Sequence, residues 1–261
     1  MSTNCTVMKQ KRARVLVYDI ETSYTVGAVW GLYEQNVAKV LRDPYMLTFS
    51  WKWLDEKTIN VLSLKDFPLY KKDKRSDKQL MKALWDLFDE ADIIIAHNGN
   101  SFDQKWTYAR FIVNGFKPPS PSQYIDTKLV AKSKFRFNSN KLDDLGKYFG
   151  IGRKLHTNID LWVDIIENDC PIAWGKMCRY NKQDVVLLEK VYLKMLPYMT
   201  NHPNRNVIEG TLTSCCNCSS TKLQKRGVSV TRTAIKQRYQ CTNCGSWQLG
   251  KSQAVKGLVI R

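Results

Sequence analysis

Nowhere in this 261-residue chain does an apolar run approach the length of a bilayer span, and no low-complexity block or internal repeat appears. The first absence argues against a helical membrane anchor; the second argues against a solenoid or a disordered linker protein. The opening MSTNCTVMKQKRAR has basic residues but no apolar block with a cleavage site behind them, so a cytoplasmic or nucleoplasmic protein is expected. Histidine is scarce, at three residues, and His97, which closes an apolar stretch, has no nucleophile to serve; it reads as a structural hydrogen-bonding group. Cysteine is thin until late in the chain, with five of the eight falling between 215 and 244, which argues against a disulfide scaffold and for metal ligation. Acid is short as well. Lys plus Arg number 41 against 24 Asp plus Glu, a net charge of +17, and such an imbalance suits an anionic partner, nucleic acid above all. Residues 201–261 alone hold ten Lys/Arg and one acid, Glu209.

What is present is 43% hydrophobic and 11% aromatic, enough for one well-buried core and a small appendage. VLVYDIET (15–22) reads as a buried strand, yet Asp19 and Glu21 lie two positions apart and so leave it on one face. Two carboxylates side by side repel each other and resist losing water, so the pair invites a divalent cation. PYMLTFSWKWL (44–54), alternating Leu47, Phe49, Trp51 and Trp53, and TINVLSL (58–64) read as a hairpin. Ser76 is placed to cap a helix carrying Leu80, Met81, Leu84, Leu87, Phe88 and Ala91. Ile93 to Ala96 form a second apolar strand, followed by the loop HNGNSFD and an amphipathic helix ending at Gly115. Further helices are expected from near Asp126, over Leu142 to Phe149, and from about Ala173 to Tyr198 with a break or bend near Asn181. The pattern predicts an α/β domain with a mixed sheet covered on both faces over 1–198, a linker at 199–212 and a separate module over 213–261.

Three acidic stations stand out along the first domain. Asp19 and Glu21 end the first strand, Asp103 follows Phe102 after the isoleucine strand and its Asn98 loop, and Tyr180 precedes Asp184 by four residues on one helix face. Singly, Asp103 reads as a helix N-cap and Tyr180 with Asp184 as a solvated surface; as an ordered set they carry more. The set resembles the DEDD 3′-5′ exonucleases of the ribonuclease H-like superfamily, specifically the DEDDy branch, over roughly residues 12 to 197. It is similar to the exonuclease domains of family B DNA polymerases and their stand-alone phage and bacterial relatives. The sister DEDDh branch has a histidine five residues before the last aspartate, where this chain has Arg179.

The resemblance implies a ribonuclease H-like fold and hydrolysis of DNA, or RNA, phosphodiesters from the 3′ end with two Mg²⁺ or Mn²⁺ ions. Single-stranded DNA or 3′ ends are the implied substrate. Asp19 would bridge the ions, Glu21 and Asp184 would complete one site, Asp103 would support the other, and Tyr180 would orient the attacking water. No polymerase domain can be placed, so action alone or with a polymerase or replication partner in trans is expected. A phage-encoded enzyme in host cytoplasm fits the same resemblance. Phe102 either stacks on a terminal base or belongs to the core. Asp126, Asp143 and Asp144 read as helix-start or surface acids.

CCNC (215–218) and CTNC (241–244) supply two Cys-x-x-Cys knuckles for one structural Zn²⁺ through Cys215, Cys218, Cys241 and Cys244; Cys216 in place of Cys215 would give the tighter Cys-x-Cys. The segment resembles zinc ribbons. Lys225, Arg226, Arg232, Lys236 and Arg238 lie between the knuckles, with Tyr239 and Trp247 near, a mixture suited to phosphate contact and base stacking. A stabilising or protein-docking ribbon is the other reading. For the whole chain, the alternatives to an exonuclease are a non-catalytic nucleic-acid-binding or recruitment protein and a metal-dependent, structure-specific endonuclease.

Overall fold

The central strand is the residue run that the sequence marks most strongly. In the computed structural model, which describes residues 12–33, 36–211 and 213–254, β1 spans Val15–Thr22. After it come β2 (Val26–Ala28), β3 (Lys39–Arg42), β4 (Met46–Trp53) and β5 (Asn60–Ser63), then α1 (Lys78–Glu90), β6 (Ile93–Ala96), α2 (Asp103–Val113), β7 (Gln123–Asp126) and α3 (Thr127–Lys134). Helices α4 (Leu142–Phe149), α5 (Ile159–Ile166), α6 (Pro171–Met195) and α7 (Arg205–Glu209) follow, and the described chain closes with β8 (Leu223–Val230), β9 (Ala234–Cys241) and β10 (Trp247–Ala254).

The chain divides into two units, Arg14–Tyr192 and a second made of Leu193 onward together with the residues before Arg14. In the first, a five-stranded sheet has the order β5-β4-β1-β6-β7, with β4 antiparallel to β1 and to β5, and β6 parallel to β1 and to β7. This is the expected meander joined to a crossover portion, a mixed α/β sheet. Placing β1 in the middle explains its composition. Leu16, Tyr18 and Ile20 enter the main apolar cluster with Phe49, Leu84 and Phe88, while Val15 and Val17, on the opposite face with Asp19 and Glu21, are also buried. Each such side chain contributes about 1.5–3 kcal/mol on leaving water, so the strand's position is strongly determined. β6 is apolar at all four positions because it has parallel neighbours on both sides and is fully buried.

Several local expectations change. Ser76 does not cap α1; Asp77 occupies the N-cap position, and its buried carboxylate accepts hydrogen bonds from Met46 N, Arg110 Nε and Nη2, and Asn114 Nδ2. A carboxylate satisfies four donors from three residues where a hydroxyl could not. α6 is continuous from Pro171 to Met195, with no break at Asn181. Asn181 is instead fully buried and hydrogen-bonded, so tertiary contacts override its weak helix preference. The sequence reading also lacked β7, α5 and the small β2–β3 hairpin.

In the second unit the span expected to be a linker carries the short α7. It is N-capped by the Asn204 side chain, ended by Gly210 at φ 68°, and held by Arg205–Glu209. β8, β9 and β10 form an antiparallel sheet, β10-β9-β8. Among the described residues no helix is long and apolar enough to cross a membrane.

Candidate nuclease site and cysteine cluster

Three elements bring the acids together. β1 presents Asp19 and Glu21 on the face that α6 covers: Asn181 Nδ2 donates to Asp19 Oδ2 at 2.6 Å, and its Oδ1 accepts from Thr48 Oγ1 of β4 at 3.1 Å. Asn181, on α6 and tied to β4 through Thr48, therefore fixes the Asp19 rotamer. One turn along α6 lies Asp184, fully buried, and the carboxylate oxygens of Asp19, Glu21 and Asp184 come within 4.8 Å of one another. Tyr180 shares that helix face, edge-on to the Trp162 ring at 6.3 Å. The Trp162 indole in turn donates to Thr22 O at 3.1 Å, tying α5 to the end of β1.

Asp103 is the first residue of α2, not its cap, and is buried. Its charge reaches Asp19 and adds to the repulsion there, although it lies outside the tighter three-carboxylate group. The preceding loop is held by Asp126, whose carboxylate caps α3 and also accepts from the backbones of Asn98 and Asn100. Asn98 takes φ 67°, a left-handed conformation that asparagine tolerates, and its side chain accepts from Lys128 Nζ. His97 bonds Thr127 Oγ1 and the Asn140 carbonyl, a structural role. Phe102 is 40% exposed beside Trp106, so it is outside the core.

Burial is the leading cause of every acid's shift here. It lifts Asp19 well above the carboxylate range, with Asp184, Asp103 and Glu21 adding repulsion. It raises Glu21 to about 8, Asp103 to about 7, and Asp184 upward. The Tyr180 hydroxyl is pushed to about 12 by burial and then by Asp184. The counter-charge is Lys154, which sequence reasoning missed. Its Nζ lies 2.7 Å from Asp184 Oδ2 and 5.1 Å from the Tyr180 ring centre. Burial works against its ammonium, yet Asp184 and Asp19 outweigh that and hold its pKa above the ordinary lysine range. Asp143, read as a surface acid, positions this lysine by accepting from Lys154 N at 2.8 Å while pairing with Arg153. In a chain with 41 Lys/Arg no composition signal separates Lys154 from the rest. Asn181 lies between Tyr180 and Asp184, and nothing in the sequence separates it from a helix-weakening asparagine.

Three oxygen donors converging on one point, at raised pKa and faced by one ammonium, fit a hard divalent ion. Its binding would supply the positive charge that burial withholds.

In the second unit, the Sγ atoms of Cys215, Cys218, Cys241 and Cys244 also lie within 4.8 Å of one another, with Cys215–Cys244 at 3.6 Å and Cys218–Cys241 at 3.7 Å. Tetrahedral thiolates at about 2.3 Å from zinc stand about 3.8 Å apart, so the spacing fits that ion. Cys216 is outside this four-sulfur group, its Sγ donating to Asn217 Oδ1 at 3.2 Å and its N–H to Gln248 Oε1. Knuckle and sheet are joined by Asn217, whose side chain donates to Ser246 Oγ and to Leu196 O. The cluster and the three-stranded sheet are consistent with a zinc ribbon. Of the basic residues expected to meet nucleic acid, Lys225, Arg226, Arg232 and Arg238 are exposed and Lys236 is partly so.

Comparison with curated proteins gives no match. A family profile does match: the RNase H superfamily, over residues 46–196, from β4 through α6. That stretch contains Asp103, Tyr180 and Asp184 and begins after Asp19 and Glu21, which the sheet then adds through β1. Because the match covers more than half of the sequence, the chain belongs to the RNase H superfamily.

Proposed function

We propose that this protein is a metal-dependent 3′-5′ exonuclease of the DEDDy type, acting on DNA or RNA. The observation that carries the reading is the meeting of Asp19, Glu21 and Asp184 within 4.8 Å, with Tyr180 one turn before Asp184 on the same helix. A polyanion binder gains nothing from buried carboxylates that repel phosphate unless cations join them. In this reading Asp19, Glu21 and Asp184, supported by Asp103, would hold two Mg²⁺ or Mn²⁺ ions. Two such ions, when bound, stabilise the attacking and leaving oxygens of a phosphodiester displacement.

The chain's own groups do the rest. With its pKa pushed to about 12, Tyr180 keeps its proton near neutrality and orients the nucleophilic water as a donor. A bond from water oxygen to phosphorus forms, the bond to the penultimate O3′ breaks, a proton equivalent to the one the water loses ends on that oxygen as the new 3′-hydroxyl, and a nucleoside 5′-monophosphate leaves. Lys154 balances part of the carboxylate charge whenever no ion is present. Phe102 lies exposed just ahead of Asp103, a place from which it stacks on the terminal base. The exonuclease unit is assigned to residues 1–198 and the ribbon to 213–261. Cys215, Cys218, Cys241 and Cys244 hold one structural Zn²⁺, and the basic ribbon holds the polymer. A polymerase or other replication protein acting in trans is the fitting partner.

The test uses 5′-labelled single-stranded DNA and RNA with Mg²⁺ or Mn²⁺, beside Asp19→Ala. A ladder that shrinks from the 3′ end, absent in the variant, supports the proposal and reads out the preferred sugar. Defined internal fragments would identify an endonuclease instead, and binding without cleavage of either polymer would leave a recruitment protein.

A further inference from the structure

β9 sorts the ribbon's charges by face. Successive side chains of a strand alternate sides, so Lys236, Arg238 and Gln240 share one face and Gln237, Tyr239 and Cys241 the other. Cross-strand partners lie on the same side, and Trp247 pairs with Gln240 while Leu249 pairs with Arg238. Lys225 pairs with Tyr239, on the opposite side. One face therefore gathers two cations with an aromatic and an aliphatic side chain, and both apolar members are left open: Trp247 is 51% exposed and Leu249 54%. The Arg238 guanidinium lies 5.9 Å from the Trp247 ring centre. Trp247 and Leu249 line two hollows. One, of about 200 Å³, also has Arg238 in its lining; the other, of about 960 Å³, is bordered by Tyr239, Lys251 and His202 and has the size of a nucleotide site.

We propose that this face of the ribbon is a base-stacking platform for single-stranded nucleic acid, with Trp247 as the stacking residue and Lys236 and Arg238 holding the flanking phosphates. The occupant follows from charge and shape together. The module's surplus of ten Lys/Arg over one acid in residues 201–261 selects a polyanion, and an exposed indole beside a guanidinium offers a flat surface to an unpaired base. A duplex hides its base faces, so only a single strand can use it. The inference rests on the reading of the ribbon as the polymer-holding module, and it divides the basic residues: Lys236 and Arg238 belong to the platform, whereas Lys225 faces away.

Full-length protein carrying Asp19→Asn, which prevents digestion, is titrated with a fluorescein-labelled single-stranded oligonucleotide and with an abasic polymer of the same length. Trp247→Ala should weaken binding of the base-bearing strand between about fivefold and about 150-fold while leaving the abasic polymer unchanged. Trp247→Phe, at unchanged zinc content, should restore most of the loss. Lys236→Ala and Arg238→Ala should weaken both polymers and each lower the salt slope by about 0.7. Equal binding by Trp247→Ala and its parent, or an equal loss on both polymers, would overturn the platform. The two readings fail separately: digestion by protein with Asp19 intact alongside no Trp247 effect removes the platform alone, and a base-dependent Trp247 effect without digestion removes the exonuclease alone.

Discussion

Glu21 measures what the acidic site demands of the fold. Burial first, then Asp184, holds its carboxyl at about 8 against 4.5 in a free side chain, with Lys154 opposing. An acid whose pKa is raised by folding binds its proton more tightly in the native state, so its effect on stability is unfavourable and grows with pH. The penalty is absent below 4.5, rises up to about 8, and is constant above that. Near pH 7.5 the full linkage is about 4 kcal/mol, three units at about 1.4 each. Glu21 keeps some contact with solvent, which screens the repulsion and reduces the expected value to about 1–3 kcal/mol. Glu21→Gln keeps the shape and removes the charge. In a chelator near pH 7.5 it should raise the urea stability of the Arg14–Tyr192 unit by that amount, about 2–4 °C per kcal/mol in a melt. Near pH 4 the gain should vanish, and saturating Mg²⁺ should stabilise the parent more than the variant. No gain in chelator near pH 7.5, or a gain of the same size near pH 4, would refute the argument that buried charge at this site opposes folding.

Lys154→Met should act in the opposite direction. It strips the ammonium from Asp184, whose side chain is 1% exposed, and the 32% exposure of the lysine side chain limits the loss to about 1–3 kcal/mol in chelator; urea midpoints with saturating Mg²⁺ should recover most of it. Asp77→Ala should be far more damaging, about 3–5 kcal/mol, since Arg110 and the Met46 amide lose a fully buried partner; the denaturation midpoint measures it at any salt concentration. His97 gives an acid limb. Burial lowers its pKa to about 4, so the stability it contributes is complete above the unfolded value of 6.5 and is lost as pH falls toward 4; for a partly exposed ring this is about 2 kcal/mol. His97→Gln should flatten the stability–pH curve across that window, and an unchanged slope would assign the acid sensitivity to other groups.

The legible parts of this protein are those whose signal is local. β1, β4 and β6 declare themselves by alternation or by unbroken β-branched runs, and α4 by its periodicity and the αL glycine at 150 that ends it. β7 did not. Its four residues follow a proline-rich stretch, and their strand character comes from pairing with β6, a contact 30 residues away in sequence. Asp19 and Glu21 stood out because carboxylates in a buried strand contradict their surroundings, whereas Asp103 and Asp184, on helices, stood out only as members of an ordered set. Lys154 and Asn181 were not, because lysine in a loop and asparagine in a helix contradict nothing; only the folded chain shows what they face. Asp77 was hidden beside Ser76, where cap preference alone favours either residue.

The residues missed have a common character that bears on how the site works. Asp19, Glu21, Asp103 and Asp184 supply negative charge, and charge alone would push them apart. Two of them are held by neutral or positive neighbours on other elements: Asn181 from α6 on Asp19, and Lys154 on Asp184. Each holding contact crosses between elements, so the spacing of the carboxylates is set by how α2, α6 and the α4–α5 loop pack on the sheet. The rigidity comes from the apolar residues beneath, Val185, Leu188 and Val191 of α6 and Val15 and Val17 of β1, all fully or nearly fully buried. A substitution that shifts α6 along β1 would therefore disturb the carboxylate spacing without touching an acid, and the acids themselves can be replaced with less harm to the fold than to the chemistry. Destabilising charge is confined to the place where a cation can relieve it, and the surrounding core supplies the stability that makes such a cluster tolerable.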